Sequence, residues 1–516
     1  MEHREAVLSM RGISKKFDLK IANEAVDFDL YKGEIVSLLG ENGSGKTTLM
    51  NMLAGIYFPD EGEIFAGGRE VRISSPAEAY SLGIGMVHQH FKLVDVFTAW
   101  ENIVLGIEEK YDVSSAKEKI RQICDRYGFV IDPDKKIYNM TVSEKQTVEI
   151  VKVIFRGAQI LILDEPTAVL TPQETEKLFD VMRNMKQDGK SIIIITHKLN
   201  EVMAISDRVV VLRHGRYVGQ LETSKTNPQE MTDMMVGHAV KLDIDRPEPV
   251  DPQKRLVIKG INVTDVEGVQ KVKDVSFYMN SGEILGIAGI SGSGQKELLE
   301  AIAGIQKTDS GSVLYIDENG KETELIGMHP RDIRELGVAL SFVPEDRLGM
   351  GLVGNMNISE NMMLRTFGES HKWFTDREKP RKVAEKVVDV LEVSTPGLDI
   401  PVRRLSGGNI QKILVGREIS SNPKVLLTAY AVRGLDINSS YKIYDLINEQ
   451  KKKGVAVLFV GEDLDVLMQI SDKIMVLCDG QVSDIVDAKK VTKNEIGFLM
   501  TSLKDSKMIG AEKNEQ

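Results

Sequence analysis

Residues 33–56 read GEIVSLLGENGSGKTTLMNMLAGI, and residues 282–305 repeat the plan as GEILGIAGISGSGQKELLEAIAGI. In each copy an apolar run leads into a glycine-rich loop and then a helical pattern, which predicts a buried strand, a turn and a helix. Farther along, DRVVVLRHG (207–215) returns as DKIMVLCDG (472–480). Matches at both ends of each half predict a duplicated α/β chain. Runs such as SIIIIT (191–196) and RVVVL (208–212) have the length of strands buried on both faces, as in parallel sheets.

The 516 residues exceed what one core organises, and at about 150 residues per domain they allow two to four domains. Between the halves, RPEPVDPQKR (246–255) sets prolines among charges and reads as a short exposed linker. We expect a first domain over 1–245, a linker over 246–254, a second domain over 255–503 and a polar tail over 504–516. Acidic residues (77) outnumber basic ones (66), and the net charge of −11 opposes broad affinity for nucleic acid. Cys124 and Cys478 are expected to be free thiols. The N-terminus has no apolar segment of signal-peptide length, and no stretch approaches the ~20 apolar residues of a membrane span. Any crossing of a membrane would fall to another subunit.

Gly40, Glu41, Asn42, Gly43, Ser44, Gly45, Lys46 and Thr47 fit the phosphate-loop pattern, with Thr48 next in the helix that follows. Glycines let backbone N–H groups converge on phosphate oxygens, and the helix N-terminus favours negative charge. Lys46 would reach the terminal phosphates of ATP, and the Thr47 hydroxyl would ligate Mg²⁺. The plain alternative, a glycine-rich turn without a ligand, does not account for the strand before it and the helix after it. QILILDEPTAVLT (159–171) is an apolar strand ending in two carboxylates: Asp164 for Mg²⁺ and Glu165 to polarise the attacking water. SIIIITH ends at His197, where a side chain could contact the γ-phosphate and orient that water.

Together with Gln89 in GMVHQH and LSGGN in the second half, these residues resemble the ATP-binding-cassette (ABC) family over residues 5–500. The resemblance implies tandem P-loop NTPase domains, each with a mainly parallel sheet core, an antiparallel β subdomain and a helical subdomain. It also implies an aromatic residue that stacks on adenine, for which Phe17 is the positional candidate. Gln89 becomes the residue that links Mg²⁺ to a transmembrane partner.

The second half departs from this pattern. Lys46 becomes Gln295 and Thr47 becomes Lys296, while Gly289, Gly292 and Gly294 remain. Asp164 becomes Ala429, Glu165 becomes Tyr430, His197 becomes Glu462 and Gln89 becomes Glu345. The signature loops show the reverse: Leu405, Ser406, Gly407, Gly408 and Asn409 in the second half, against Met140, Thr141, Val142, Ser143 and Glu144 in the first. In the family, the signature of one domain donates to the γ-phosphate held by the other. The first phosphate loop with the second signature makes one complete composite site, and the leftovers make one degenerate site.

Fused cassettes of this kind resemble the importers of simple sugars and related small molecules. VPEDRLGMGL (343–352), LSGGN and RGLD (433–436) resemble that group as a whole. VHQHFKLV (87–94), DEPTAVLTPQE (164–174) and Gln295 look more like its nucleoside branch. The resemblance implies integral-membrane permease subunits, two in number, an extracytoplasmic substrate-binding protein, and a peripheral place on the cytoplasmic face of the cell membrane. FTAWENIVLG (97–106) and NISENMMLR (357–365) share a Glu-Asn pair where the family docks its permease, or are simply helix starts. A soluble twin-cassette factor acting on ribosomes or nucleic acid is the other class of reading. The short linker and the acidic balance argue against it.

Overall fold

The structure is a computed structural model that describes residues 6–18, 20–107, 112–168, 170–239, 242–290, 292–329, 332–333, 340–344, 346–366, 376–461 and 463–503. The chain divides into two compact units, Met1–Lys241 and Leu242–Gln516.

The first unit contains β1 (Ala6–Phe17), β2 (Lys20–Tyr31), β3 (Ile35–Leu39), β4 (Glu61–Ala66), β5 (Arg69–Val71), β6 (Ile84–Val87), β7 (Ile160–Asp164), β8 (Ser191–Ile195), β9 (Arg208–Arg213) and β10 (Arg216–Glu222). Its main sheet runs β10-β9-β3-β8-β7-β6, parallel except for β10. Every residue of β3, β7 and β8 is buried, which explains their unbroken apolar sequences. A four-stranded antiparallel sheet, β2-β1-β4-β5, packs one apolar core with the helix Lys46–Leu53. The helices Ala99–Val104, Val113–Tyr127 and Val142–Phe155 enclose a separate small core that includes Ile103, Ile120, Val148 and Phe155.

The second unit repeats the plan with β11 (Lys254–Thr264), β12 (Gln270–Asn280), β13 (Ile284–Ala288), β14 (Ser310–Ile316), β15 (Glu322–Glu324), β16 (Leu340–Val343), β17 (Val425–Ala429), β18 (Ala456–Val460), β19 (Lys473–Cys478) and β20 (Gln481–Asp487). The orders β12-β11-β14-β15 and β16-β17-β18-β13-β19-β20 are those of the first unit, strand for strand. The α/β class with parallel core sheets and antiparallel side sheets is therefore present twice.

The start of the expected linker is less free than its composition suggests. Ile244, just before it, belongs to the second unit's core at 6% exposure. Asn448 Nδ2 donates to the Asp245 carbonyl at 2.5 Å, and Arg246 donates to the carbonyls of Met468 and Ser471. One apolar side chain and a few backbone carbonyls fasten a segment that its prolines and charges advertise as loose. The expected tail, 504–516, lies outside the described residues.

Candidate functional site

Three strand ends of the first unit carry the candidate residues: the loop after β3, Asp164 closing β7, and His197 two residues past β8. Open parallel sheets bind ligands beyond the carboxyl ends of their strands, where neighbouring loops diverge and leave a crevice.

Crowding dictates two of the loop's three glycines, Gly40 and Gly45. A Cβ on Gly40 would stand 2.3 Å from the Leu212 carbonyl oxygen and 2.4 Å from Ser44 Oγ. Gly45 caps the helix Lys46–Leu53 at φ 93°, and a Cβ there would stand 2.3 Å from the Ala22 carbonyl oxygen. Lys46 is buried, and its Nζ donates to the carbonyls of Gly40 at 2.7 Å and Glu41 at 2.9 Å. Burial holds its pKa below the usual lysine range, against the opposing pull of Glu165, Asp164 and Glu41. Asn42, Gly43 and Thr47 lie exposed on the rim, with Thr48 half-buried behind them. Ser44 Oγ is buried without a hydrogen-bond partner. A hydroxyl in that position, beside a buried ammonium at a helix N-terminus, fits a phosphate oxygen.

Asp164 is 6% exposed. Burial pushes its carboxyl up to about 6, although a hydrogen bond from Thr47 pulls the other way. A carboxylate whose charge burial disfavours, bonded to a threonine hydroxyl at a phosphate loop, is a fitting half-shell for a divalent cation.

Glu165 follows in the left-handed conformation, φ 48°, with its N–H on the Ile195 carbonyl at 2.9 Å. This turn aims the carboxylate sideways along the strand ends. Gln89 Nε2 donates to Glu165 Oε2 at 2.7 Å, and His197 Nδ1 lies 3.0 Å from Glu165 Oε1. The bond to His197 is the largest influence on Glu165 and holds its carboxyl below the usual range despite burial. Two side chains far apart in sequence thus converge on one carboxylate. Phe17 is not part of this cluster: it is exposed at the end of β1, edge-on to Tyr57 with ring centroids 5.1 Å apart.

Asn23 escapes motif reading. It is fully buried in β2 and donates Nδ2 to the Gly45 carbonyl at 3.2 Å, fastening the loop where it enters the helix. The one trace of it in the sequence is that the second copy has Val272 at the same place.

An ABC transporter family model matches residues 23–168 and again 272–428. The chain is 42% identical over 503 residues to the nucleoside import ATP-binding protein of Lactococcus lactis subsp. cremoris, spanning 96% of this chain and 98% of that protein. It is likewise 42% identical over 503 residues to the guanosine import ATP-binding protein of Bacillus subtilis, spanning 96% and 97%. A ribose import ATP-binding protein of Rubrobacter xylanophilus is 36% identical over 502 residues, with spans of 96% and 98%. The chain belongs to the ABC transporter family.

As an ABC protein it carries two cassettes of unequal chemistry. Gly294 caps the helix Gln295–Ile302 at φ 90° and, like Gly45, has no room for a Cβ. Gln295 is buried and donates Nε2 to the Ile290 carbonyl at 3.1 Å, an uncharged copy of the bond from Lys46 to Glu41. The Lys296 side chain is 54% exposed, with Nζ 3.9 Å from Glu300 Oε1, so its charge sits on the helix surface. Tyr430 keeps the turn of Glu165, with φ 53° and its N–H on the Val460 carbonyl at 2.8 Å, but supplies no carboxylate. Glu345 and Glu462 lie outside the described residues.

The signature segments of this ABC protein also differ. Ser406 caps the helix Gly407–Ser420 and takes hydrogen bonds from the Asn409 N–H and from Asn409 Nδ2 at 3.0 Å. Arg347 donates to the Gly407 carbonyl at 3.2 Å and, with its other arm, to the Arg433 carbonyl. Gly408 beside it adds no side chain to the helix start. In the first unit Thr141 forms a closed capping box with Glu144, whose carboxylate also binds Lys135 Nζ at 2.7 and 2.8 Å. A carboxylate already placed on that helix N-terminus opposes a second anion there.

The repeated Glu-Asn pairs have a structural role. Asn102 and Asn361 are both fully buried, and each exchanges hydrogen bonds with the backbone eight residues earlier, at Val94 and Val353. The pair fastens a loop to a helix in both units.

Proposed function

We propose that this ABC protein is the ATP-hydrolysing subunit of a nucleoside importer, held peripherally at the cytoplasmic face of the cell membrane by permease subunits. A substrate-binding protein outside the membrane would deliver the cargo to those permeases, and two of them would match two cassettes. Among the described residues no helix is long and apolar enough to cross a membrane, in keeping with partners that do so. The observation that carries the reading is 42% identity over 96% of the chain to two relatives named for nucleoside and guanosine import. Relatives named for ribose and glucose import, at 36% and 37% identity, make a simple-sugar importer the second reading.

The chemistry proposed for the first unit follows from its residues. The loop 40–45 would cradle the phosphates with backbone N–H groups and Ser44 Oγ, while Lys46 turns from its carbonyls to the terminal phosphates. Thr47 and Asp164, with Gln89, would hold Mg²⁺, which when bound offsets the charge on the phosphates. Glu165, whose carboxyl the bond to His197 holds below the usual range, would orient and polarise the attacking water. His197 and Gln89 fix the direction of that carboxylate. Ser406, Gly407, Gly408 and Asn409 would complete this ATP site from the second half. That pairing is supported by the way losses fall: one set of loops keeps every group the reaction needs, and the complementary set keeps almost none.

Uptake of labelled guanosine and of labelled ribose by cells lacking the chain tests the reading. Return of guanosine uptake on complementation by the natural chain, but not by Glu165→Gln, is the expected result. Return of ribose uptake alone would move the assignment to sugars.

A further inference from the structure

Glu201, in the first turn of the helix Leu199–Ile205, gathers the two loops that flank the Glu165–His197 pair. Thr167 Oγ1, two residues past Glu165, lies 2.6 Å from both carboxylate oxygens of Glu201. Thr196 Oγ1, one residue before His197, reaches the same carboxylate at 3.4 Å, and Lys198 Nζ, one residue after, pairs with it at 3.1 Å. Lys198 Nζ also donates to the Thr167 carbonyl at 3.1 Å. Thr167 and Thr196 are 2% and 3% exposed, so the threonine ends of these bonds are shielded from water.

The second unit is an internal comparison. It has the same strand ends and the matching helix Leu464–Ile470, yet Thr167, Thr196, Lys198 and Glu201 are replaced by Val432, Gly461, Asp463 and Val466. Val432 and Val466 pack, partly buried, against that unit's apolar core. The backbone turn at Tyr430 is nonetheless the one at Glu165. Valines thus stand in the second unit where Thr167 and Glu201 stand in the first, and the same turn forms, so this polar network is not a requirement of the fold. It is present in the unit where a carboxylate and an imidazole must be held in register, and missing in the unit that has Tyr430 and Glu462 in their places.

We infer that Thr167, Lys198 and Glu201 are positioning residues for ATP hydrolysis, tying the loop of Glu165 to the loop of His197 so that the two side chains meet. The inference rests on the catalytic reading of Glu165 and His197. Charge-assisted hydrogen bonds are short and directional, and a shift of about 1 Å in a catalytic group costs on the order of 100-fold in rate.

The test uses the full chain with Thr167→Val, Thr167→Ser and Glu201→Ala. Thr167→Val and Glu201→Ala should each lower kcat by about 10- to 100-fold, with KM for ATP held within about twofold and the thermal midpoint little changed. Thr167→Ser, which keeps the hydroxyl, should restore most of the rate. Unchanged kcat in Thr167→Val and Glu201→Ala, beside an inactive Glu165→Gln, would overturn the network and leave the ATPase reading standing. A loss that follows KM or the thermal midpoint would mark a folding role and overturn it equally. Full activity of Glu165→Gln would overturn the catalytic reading, and the inference with it.

Discussion

Glu165 Oε1 and His197 Nδ1 lie 3.0 Å apart at the ends of adjacent parallel strands, and Gln89 holds the second carboxylate oxygen at 2.7 Å. The carboxylate is therefore aimed by two side chains, and the bond to one of them lowers its pKa. Tyr430 has the same backbone turn without the charge.

Glu165→Gln should abolish steady-state phosphate release while ATP still binds, because a positioned general base contributes about 10²- to 10⁴-fold. Tyr430→Phe should leave turnover nearly unchanged. Phosphate-release kinetics beside equilibrium ATP binding check both; substantial turnover in Glu165→Gln would remove it from the reaction.

Ser406 and Thr141 each cap a helix. Replacing either by Ala should cost about 1 kcal/mol of stability. Hydrolysis should fall steeply only in Ser406→Ala, since Thr141 is already enclosed by Glu144. Equal losses of turnover in the two variants would break the pairing of the second signature with the first phosphate loop.

Asp164 has a folded-state pKa of about 6 against an ordinary 3.8. Its proton is held more tightly in the folded chain, so its contribution to stability is complete below pH 3.8 and is lost as pH rises through about 6. The full loss is about 3 kcal/mol. Asp164→Asn in metal-free buffer should therefore stabilise the chain by about that amount near pH 8 and by about half of it near pH 5, read by urea denaturation. The same variant should not hydrolyse ATP. A gain that does not change with pH would show that the buried charge is not its source.

Asn23→Val copies what the second unit has at Val272, so the β2 backbone should tolerate it. The loss of the bond to the Gly45 carbonyl should loosen the phosphate loop and raise KM for ATP by about 5- to 10-fold, the equivalent of one ordinary hydrogen bond. Initial rates over a range of ATP concentrations separate this from an effect on kcat. Unchanged KM would leave Asn23 with a folding role alone.

Much of the fold was legible because strands buried on both faces leave unbroken apolar runs, as in β3, β7 and β8. The phosphate loop was legible because close backbone approach admits only glycine at Gly40 and Gly45. Asn23, Arg347 and Glu201 were not, since one polar residue in a strand or helix carries no spacing that announces its partner. The reading of 246–254 as an exposed connector missed the carbonyl contacts of Arg246, because composition reports polarity and not which backbone groups lie within reach.

By itself the sequence determined that the chain is a duplicated cassette and which chemical groups survive in each copy, since side-chain identity decides whether a loop can offer a cation, a hydroxyl or a carboxylate. The tertiary structure alone decided which groups meet. Laying β7 beside β8 brings Glu165 to His197 and Thr167 to Glu201, partners more than thirty residues apart in the chain. Hydrogen bonds act only over a few ångströms, so such partners are set by strand order and not by distance along the chain.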